Sequence, residues 1–327
     1  MSGVQNLTVT KDEADIRLDR WFKRRFPHVP FGLVAKLARK GQVRVDGARV
    51  KPEDRLQPGQ SVRVPPLPDP GELKETPSLS REDAAFARSL VIYQDEEIIA
   101  FNKPPGLPVQ GGSKVTHHLD RLLDAFGRGE ERPRLVHRLD KDTSGVLVVA
   151  KTAQAAKRLS KLFQGRDLKK TYWAVCLGVP APRVGEIKGF MKKSSGGEGD
   201  REMMVPARHG EEGAQYALTR YAVADEAGRR VSWVLLRPET GRTHQLRVHM
   251  AAAGHSILGD GKYVCDIPTP EGLSRKLHLH ARKLEIPRPG KKPLVIEAGL
   301  PAHMIDTFDA LGLGPRADLS AVEAVLE

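Results

Sequence analysis

The sequence predicts an α+β protein with two parts. A small basic N-terminal domain precedes a larger domain built on a mixed, mostly antiparallel sheet. Three observations predict this. Beyond Arg81, strand-like and helical segments alternate without a regular βαβ rhythm, which argues against an all-parallel sheet. Hydrophobic residues make up 39% of the 327, enough for a substantial core and too many for global disorder. Basic charge gathers near the N-terminus, ahead of a proline-rich stretch that marks a boundary. The predicted divisions are a domain over 1–66, a linker over 67–82 and a second domain over 83–327.

The N-terminal elements follow from periodicity. Leu18, Trp21, Phe22 and Phe26 fall on one helical face, and Pro27 and Pro30 stop that helix. Phe31, Val34, Leu37 and Ala38 repeat the pattern, and Gly41 ends the second helix. Val43 and Val45 alternate with polar residues, Asp46-Gly47 makes a hairpin turn before Val50, and Val62 and Val64 alternate again. Two short helices and a small sheet leave the basic residues outside. Between Arg17 and Val64 there are thirteen basic residues against four acidic ones, a local net of +9 within a chain of +12. A cluster of this kind points to a polyanion-binding surface. Charge alone does not separate nucleic acid from an anionic membrane. Four prolines between Pro65 and Gly71 then read as a semi-rigid extended linker.

In the larger part, Ile98–Phe101, Gly145–Ala150, Lys170–Leu177, Gln215–Val223, Arg230–Leu236 and Lys276–Ile286 read as strands. Thr152–Gly165 reads as a helix, with Ala155, Leu159, Leu162 and Phe163 on one face, and His244–Gly254 as another. Arg183–Gly213, polar and rich in Gly and Lys, reads as a connecting loop, either mobile or clamping a ligand. Pro301–Glu327 reads as one or two amphipathic helices with no assigned role.

Several function classes are excluded. Apolar runs such as Val146–Ala150 fall far short of the roughly 20 residues a membrane helix needs. Met1–Asp15 is polar and of mixed charge, unlike a signal peptide. Cys176 and Cys265 form no metal-binding pair, and a reducing cytoplasm is the expected location. His244 and His249 are five apart and share no helical face; His278 and His280 have no cysteine or acidic neighbour, so no metal site is expected.

The stretch with most chemical content is His137-Arg138-Leu139-Asp140-Lys141-Asp142-Thr143-Ser144-Gly145, leading into Val146–Ala150. Turn-forming polar residues run straight into a buried strand, so a carboxylate there is held at the rim of a rigid sheet. Composition alone equally describes an ordinary Asp/Ser turn.

The whole string is more specific. It resembles the catalytic motif of the RluA family of pseudouridine synthases. Further strings resemble the family's other motifs in the same order: Phe101–Val109, Lys169–Ala174, Thr240–His249 with Gly259-Asp260, and Leu277–Ala281. The N-terminal strings RLDRWFKRRF and LVAKLARKGQVRVDGARVKPEDRLQPGQSVRV resemble the S4 (αL-type) RNA-binding module. The likeness covers about residues 17 to 300. Within the family it is closest to the RluC type, which acts on large-subunit rRNA.

The resemblance implies a pseudouridine synthase fold and isomerisation of uridine to pseudouridine within RNA. The partner is then RNA, large-subunit rRNA or its precursor, and not a membrane. A monomer is expected, and no cofactor or metal, because the chemistry is redox-neutral. Asp140 takes the place of the essential aspartate, with two roles left open: attack on C1′ or removal of a proton from C2′. Either needs an ionised carboxylate, which a water-poor pocket disfavours unless a cation sits close by. Arg247 matches the arginine that pairs with the aspartate, and Tyr172 the tyrosine that stacks on the target base and assists proton removal from C5. Arg138 matches a position implicated in displacing the base from the RNA stack, and Leu279 the apolar residue beneath the site. His137 and Arg242 fall within the same motifs and are expected to bind substrate; Arg24, Arg39, Lys40 and Arg44 are expected to hold RNA from the arm. Asp142 reads as a turn residue. Two other classes remain as alternatives: a non-catalytic rRNA-binding or assembly factor, and a glycoside hydrolase using Asp140 with Asp142. Aromatic residues at 5% leave little for a sugar platform.

Overall fold

A computed structural model describes residues 3–69, 78–111, 115–165, 167–194, 203–314 and 318–326. The chain forms two compact units, Met1–Ser78 and Leu79–Glu327. Part of the expected linker, 70–77, lies outside the described residues, while Leu67 packs into the core of the first unit.

The first unit comprises β1 (Gln5–Thr8), α1 (Leu18–Arg25), α2 (Phe31–Arg39), β2 (Arg44–Val45), β3 (Ala48–Arg49) and β4 (Ser61–Val64). The sheet order is β1-β4-β2-β3. Leu18, Trp21 and Phe22 of α1 and Val34, Leu37 and Ala38 of α2 pack on Val43, Val45, Val62 and Val64. This is the apolar stripe that the 3.6-residue period requires. Two features differ from the sequence reading. Strand β1 is mostly polar and carries a single large apolar residue, Leu7, so alternation does not reveal it; it forms by pairing, Leu7 opposite Val62. Phe31, expected on the apolar face, is 61% exposed, because it opens α2 and overhangs the core.

The charge of this unit also needs correcting. Asp12, Asp15 and Glu13 lie just before the basic run and bridge Arg24 (2.6 Å), Arg55 (2.5 Å) and Arg25 (2.8 Å). Counted over the whole unit, fifteen basic side chains face ten acidic ones, so it holds +5 of the +12. The exposed basic residues that remain concentrated are Lys36, Arg39 and Lys40 around the end of α2, with Arg20 and Lys23 on α1.

The second unit comprises α3 (Arg81–Ser89), β5 (Val91–Gln94), β6 (Ile98–Lys103), α4 (Leu119–Leu122), β7 (Arg134–Leu135), β8 (Ser144–Ala150), α5 (Ala153–Gln164), β9 (Lys169–Leu177), β10 (Val184–Lys193), β11 (Met204–Ala207), β12 (Gln215–Ala227), β13 (Val231–Pro238), α6 (Gln245–Ala252), β14 (Leu279–Arg288), β15 (Lys291–Glu297), α7 (Ala302–Leu311) and α8 (Ser320–Ala324). One sheet runs β11-β10-β12-β13-β9-β14-β8-β6-β5, with β15 on β14 and β7 on β8. Every pairing is antiparallel except β14 with β8. Helix α5 starts at Thr152, whose hydroxyl accepts from the Ala155 N–H, and ends at Gly165, as its sequence signals require.

The segment read as a loop over 183–213 contains β10 and β11 instead; 195–202 lie outside the described residues. Gly185, Gly189 and three lysines hide the alternation. Ile187 packs into the hydrophobic core and Met191 is buried, whereas Glu186 and Lys188 face solvent.

The parallel contact of β8 with β14 depends on Gly145. Its φ is 108°, and a Cβ there would meet the Ala281 carbonyl oxygen at 2.2 Å. Only glycine allows this approach, and it places β14 directly behind the Asp140 loop.

Candidate active site

Asp140 ends a short polar segment four residues before β8. The segment is fixed at its backbone. The carbonyl of Lys141 accepts from the Gly106 N–H (2.9 Å) and from Lys103 Nζ (2.9 Å). Lys103 Nζ also donates to the carbonyls of Leu107 (2.9 Å) and Pro104 (3.0 Å). Burial pushes its pKa down to about 7, against the opposing charges of Asp142 and Asp140. Three carbonyls match the three N–H donors of an ammonium group, so the buried side chain is satisfied in its charged form. On the other side, Ser144 Oγ lies 2.9 Å from His280 Nδ1 and ties the start of β8 to β14.

Asp140 opens into a cleft of about 370 Å³, near the low end of the roughly 300–1,000 Å³ range for small-ligand sites. His137, Arg138, Tyr172, Arg242, Arg247 and Leu279 line the same cleft, so the expected catalytic-domain residues converge. Arg24, Arg39, Lys40 and Arg44 belong to the first unit. Of these, Arg24 bridges Asp12, and Arg44 donates to the carbonyls of Gly41 (3.1 Å) and Gly47 (3.0 Å). Asp142 is exposed and does not line the cleft, which leaves the paired-carboxylate hydrolase reading without its second group.

Arg247 Nη1 lies 3.7 Å from Asp140 Oδ2. Its main partner is another residue. Nε and Nη2 each donate to Asp260 at 2.7 Å in a bidentate pair, with the arginine side chain 6% and the aspartate 0% exposed. Burial works against the guanidinium charge, but the hydrogen bonds and charge of Asp260, followed by the charge of Asp140, outweigh it and raise the pKa. Asp260 is held by the N–H groups of Lys262 (2.9 Å) and Tyr263 (3.1 Å). The preceding Gly259 has φ 77°, and a Cβ there would meet the Lys276 carbonyl oxygen at 2.0 Å.

Tyr172 lies on β9 and lines the cleft. Burial, then the charge of Asp140, raises its phenol pKa, so the ring is neutral. His137 stacks on Phe163 (centroids 3.9 Å, 13°) and its Nε2 accepts from the Val148 N–H (2.9 Å). Burial, reinforced by Lys170, lowers its pKa to about 3. It is a neutral wall of the cleft with one nitrogen committed to β8. Arg138 is exposed at the opening, and Arg242 Nε donates to the Tyr216 carbonyl (3.0 Å) at the rim.

Sequence reasoning gave no role to Asp260, Lys103 or His244, although all three sit in the motif strings. His244 Nε2 lies 3.9 Å from Asp140 Oδ2. Among the described residues no group of three His, Cys, Asp or Glu has a metal-binding arrangement. No helix among them is long and apolar enough to cross a membrane.

The RNA pseudouridylate synthase family model matches residues 97–252, and the S4 domain model matches residues 16–62. The chain is 35% identical over 295 residues to ribosomal large subunit pseudouridine synthase C of Escherichia coli K12, covering 88% of this chain and 90% of that protein. It is 34% identical over 263 residues to the protein of the same name from Haemophilus influenzae, covering 80% of each. Among solved structures it is similar to human RNA pseudouridylate synthase domain containing 4, with TM-score 0.58 and 32% identity over 72% of this chain and 98% of that one. The similarity covers 80% or more of each of these relatives, and the chain belongs to the RNA pseudouridylate synthase family.

Proposed function

We propose that this protein isomerises specific uridines to pseudouridine in large-subunit ribosomal RNA. The observation that carries the reading is one carboxylate, Asp140, facing a base-sized cleft with Arg247 at 3.7 Å and the neutral ring of Tyr172 in the same lining. The reaction breaks the N1–C1′ bond, turns the uracil and joins C5 to C1′; N1 gains a proton and C5 loses one.

In this reading Asp140 meets the ribose, as nucleophile at C1′ or base at C2′. Arg247 keeps its carboxylate ionised. Tyr172 holds the detached uracil by stacking. Burial and the nearby negative charge both disfavour its phenolate, so stacking is the role its surroundings support. Leu279 closes the cleft beneath the base. Arg138, exposed at the opening, takes the space of the extruded nucleotide. The S4 domain, over 1–66 and joined through 67–82, grips RNA phosphates with Arg39 and Lys40, and less with Arg24 and Arg44, whose guanidinium groups are already engaged. In this reading the enzyme acts as a monomer. Its place of action is the cytoplasm.

The test is tritium release from 5-tritiated uridine in large-subunit rRNA transcripts and assembly intermediates, with modified positions mapped in a deletion strain. Tight RNA binding without release from any substrate would favour the assembly-factor alternative.

A further inference from the structure

The Asp140 carboxylate has a second neighbour of chemical interest. Its Oδ2 lies between Arg247 Nη1 at 3.7 Å and His244 Nε2 at 3.9 Å. Both are just beyond hydrogen-bond range, as is common before substrate closes a site. His244 is the N-cap residue of α6, yet its side chain makes no capping bond. Gln245 takes up the nearby backbone instead, its Oε1 accepting from the Arg242 N–H (3.1 Å) and from Thr240 Oγ1 (2.7 Å). The His244 backbone sits at φ 53°, a left-handed conformation that costs a residue with a Cβ. Helix capping therefore does not account for the strain. The strained backbone accompanies an imidazole turned into the cleft.

The other face of the ring is fixed. His244 Nδ1 lies 2.7 Å from the Tyr263 hydroxyl, which accepts from the Met204 N–H at 2.9 Å. Burial keeps the Tyr263 phenol protonated. The hydroxyl keeps its hydrogen free to be donated to Nδ1, and the bond is taken in that direction. A neutral imidazole then carries its proton on Nε2, the nitrogen facing Asp140. Tyr263 also lies under the Arg247 guanidinium at 5.1 Å, so one tyrosine supports both neighbours of the carboxylate.

We propose that His244 is a positioning residue for Asp140: it presents an Nε2–H to the carboxylate, in a tautomer selected by the Tyr263 hydroxyl. The inference rests on the isomerase reading above. It assigns to His244 the orientation of the carboxylate when RNA closes the cleft, alongside the charge compensation from Arg247.

Two substitutions separate this role from a backbone role, because they predict opposite orders. Asparagine tolerates the left-handed region better than glutamine. Glutamine, however, places an N–H near the position of Nε2, whereas the asparagine amide reaches only that of Nδ1. The experiment measures kcat and KM for tritium release by H244Q, H244N, H244A and Y263F, with thermal unfolding of each. H244Q is expected to stay within about tenfold of wild-type kcat, and H244N and H244A to lose about 100-fold, the scale of one lost active-site donor. KM should change little. Y263F should lose less than H244A, and Y263F combined with H244A should fall no further than H244A alone. A ranking of H244N at or above H244Q, or full additivity of the Tyr263 and His244 losses, would overturn the proposal. Absence of tritium release by the wild-type chain would instead overturn the isomerase reading.

Discussion

Asp260 grips Arg247 through two 2.7 Å hydrogen bonds and leaves the third nitrogen pointing at Asp140, 3.7 Å away. The arginine is thereby aimed at Asp140, and its charge is compensated without neutralising the Asp140 carboxylate. Asp260 is fully buried, so its loss strands a buried guanidinium. Asp260→Ala should destabilise the fold by about 3–5 kcal/mol and abolish activity. Denaturant unfolding of the purified variant checks the first part and tritium release the second.

Gly145 is a packing requirement of the site. Gly145→Ala puts a methyl group 2.2 Å from the Ala281 carbonyl oxygen at a positive φ. A loss of about 3 kcal/mol or more is expected, from overpacking and left-handed strain together. Gly→Ala at Gly189, where a Cβ meets nothing within 4 Å, should by contrast be nearly neutral. Equal unfolding midpoints for the two variants would contradict the close approach of β8 and β14.

Acid should unfold the second unit through its histidines. Burial lowers the pKa of His249, His278 and His280 to about 4 each. Their folded values lie below the unfolded value of about 6.5, so the unfolded state binds more protons between those limits. Stability is then full above pH 6.5 and lost as pH falls towards 4. By pH 5 each histidine should have cost about 2 kcal/mol. Urea unfolding between pH 7.5 and 4.5 measures the slope, and His280→Gln should reduce it.

The corrected charge count places the arm's RNA contacts on fewer residues. Replacing Lys36, Arg39 and Lys40 together by Ala should weaken RNA binding and lower the slope of log K against log salt by about 2–3. Activity on a short substrate that reaches only the cleft should hardly change. Binding titrations at several salt concentrations test this; an unchanged slope would remove the arm from the contact surface.

Much of this arrangement was legible in the sequence. Residues 137–150 carry a turn into an unbroken apolar run, and that pattern is local. So are the stripes of α1, α2 and α5. What escaped depends on distant partners. Asp260 acquires its role only because the turn after α6 brings it beneath Arg247, thirteen residues back. His244 looks like an ordinary helix-start residue until its φ and its neighbour Tyr263 are known. β10 was hidden because its glycines and lysines suppress the hydrophobic alternation, and β1 because its pairing partner β4 lies more than fifty residues away. The arm's net charge falls from +9 to +5 because acids flank the stretch 17–64 on both sides, Asp12, Glu13 and Asp15 before it and Asp69, Glu72 and Glu75 after it.

In the proposed reaction Asp140 performs the chemistry at the ribose. The most direct measurement compares tritium release by wild-type protein with that by Asp140→Asn, which keeps the size of the side chain and removes its charge. Wild-type RNA binding and thermal stability are expected for the variant, with release lowered to background. Release by Asp140→Asn within tenfold of wild type would contradict it.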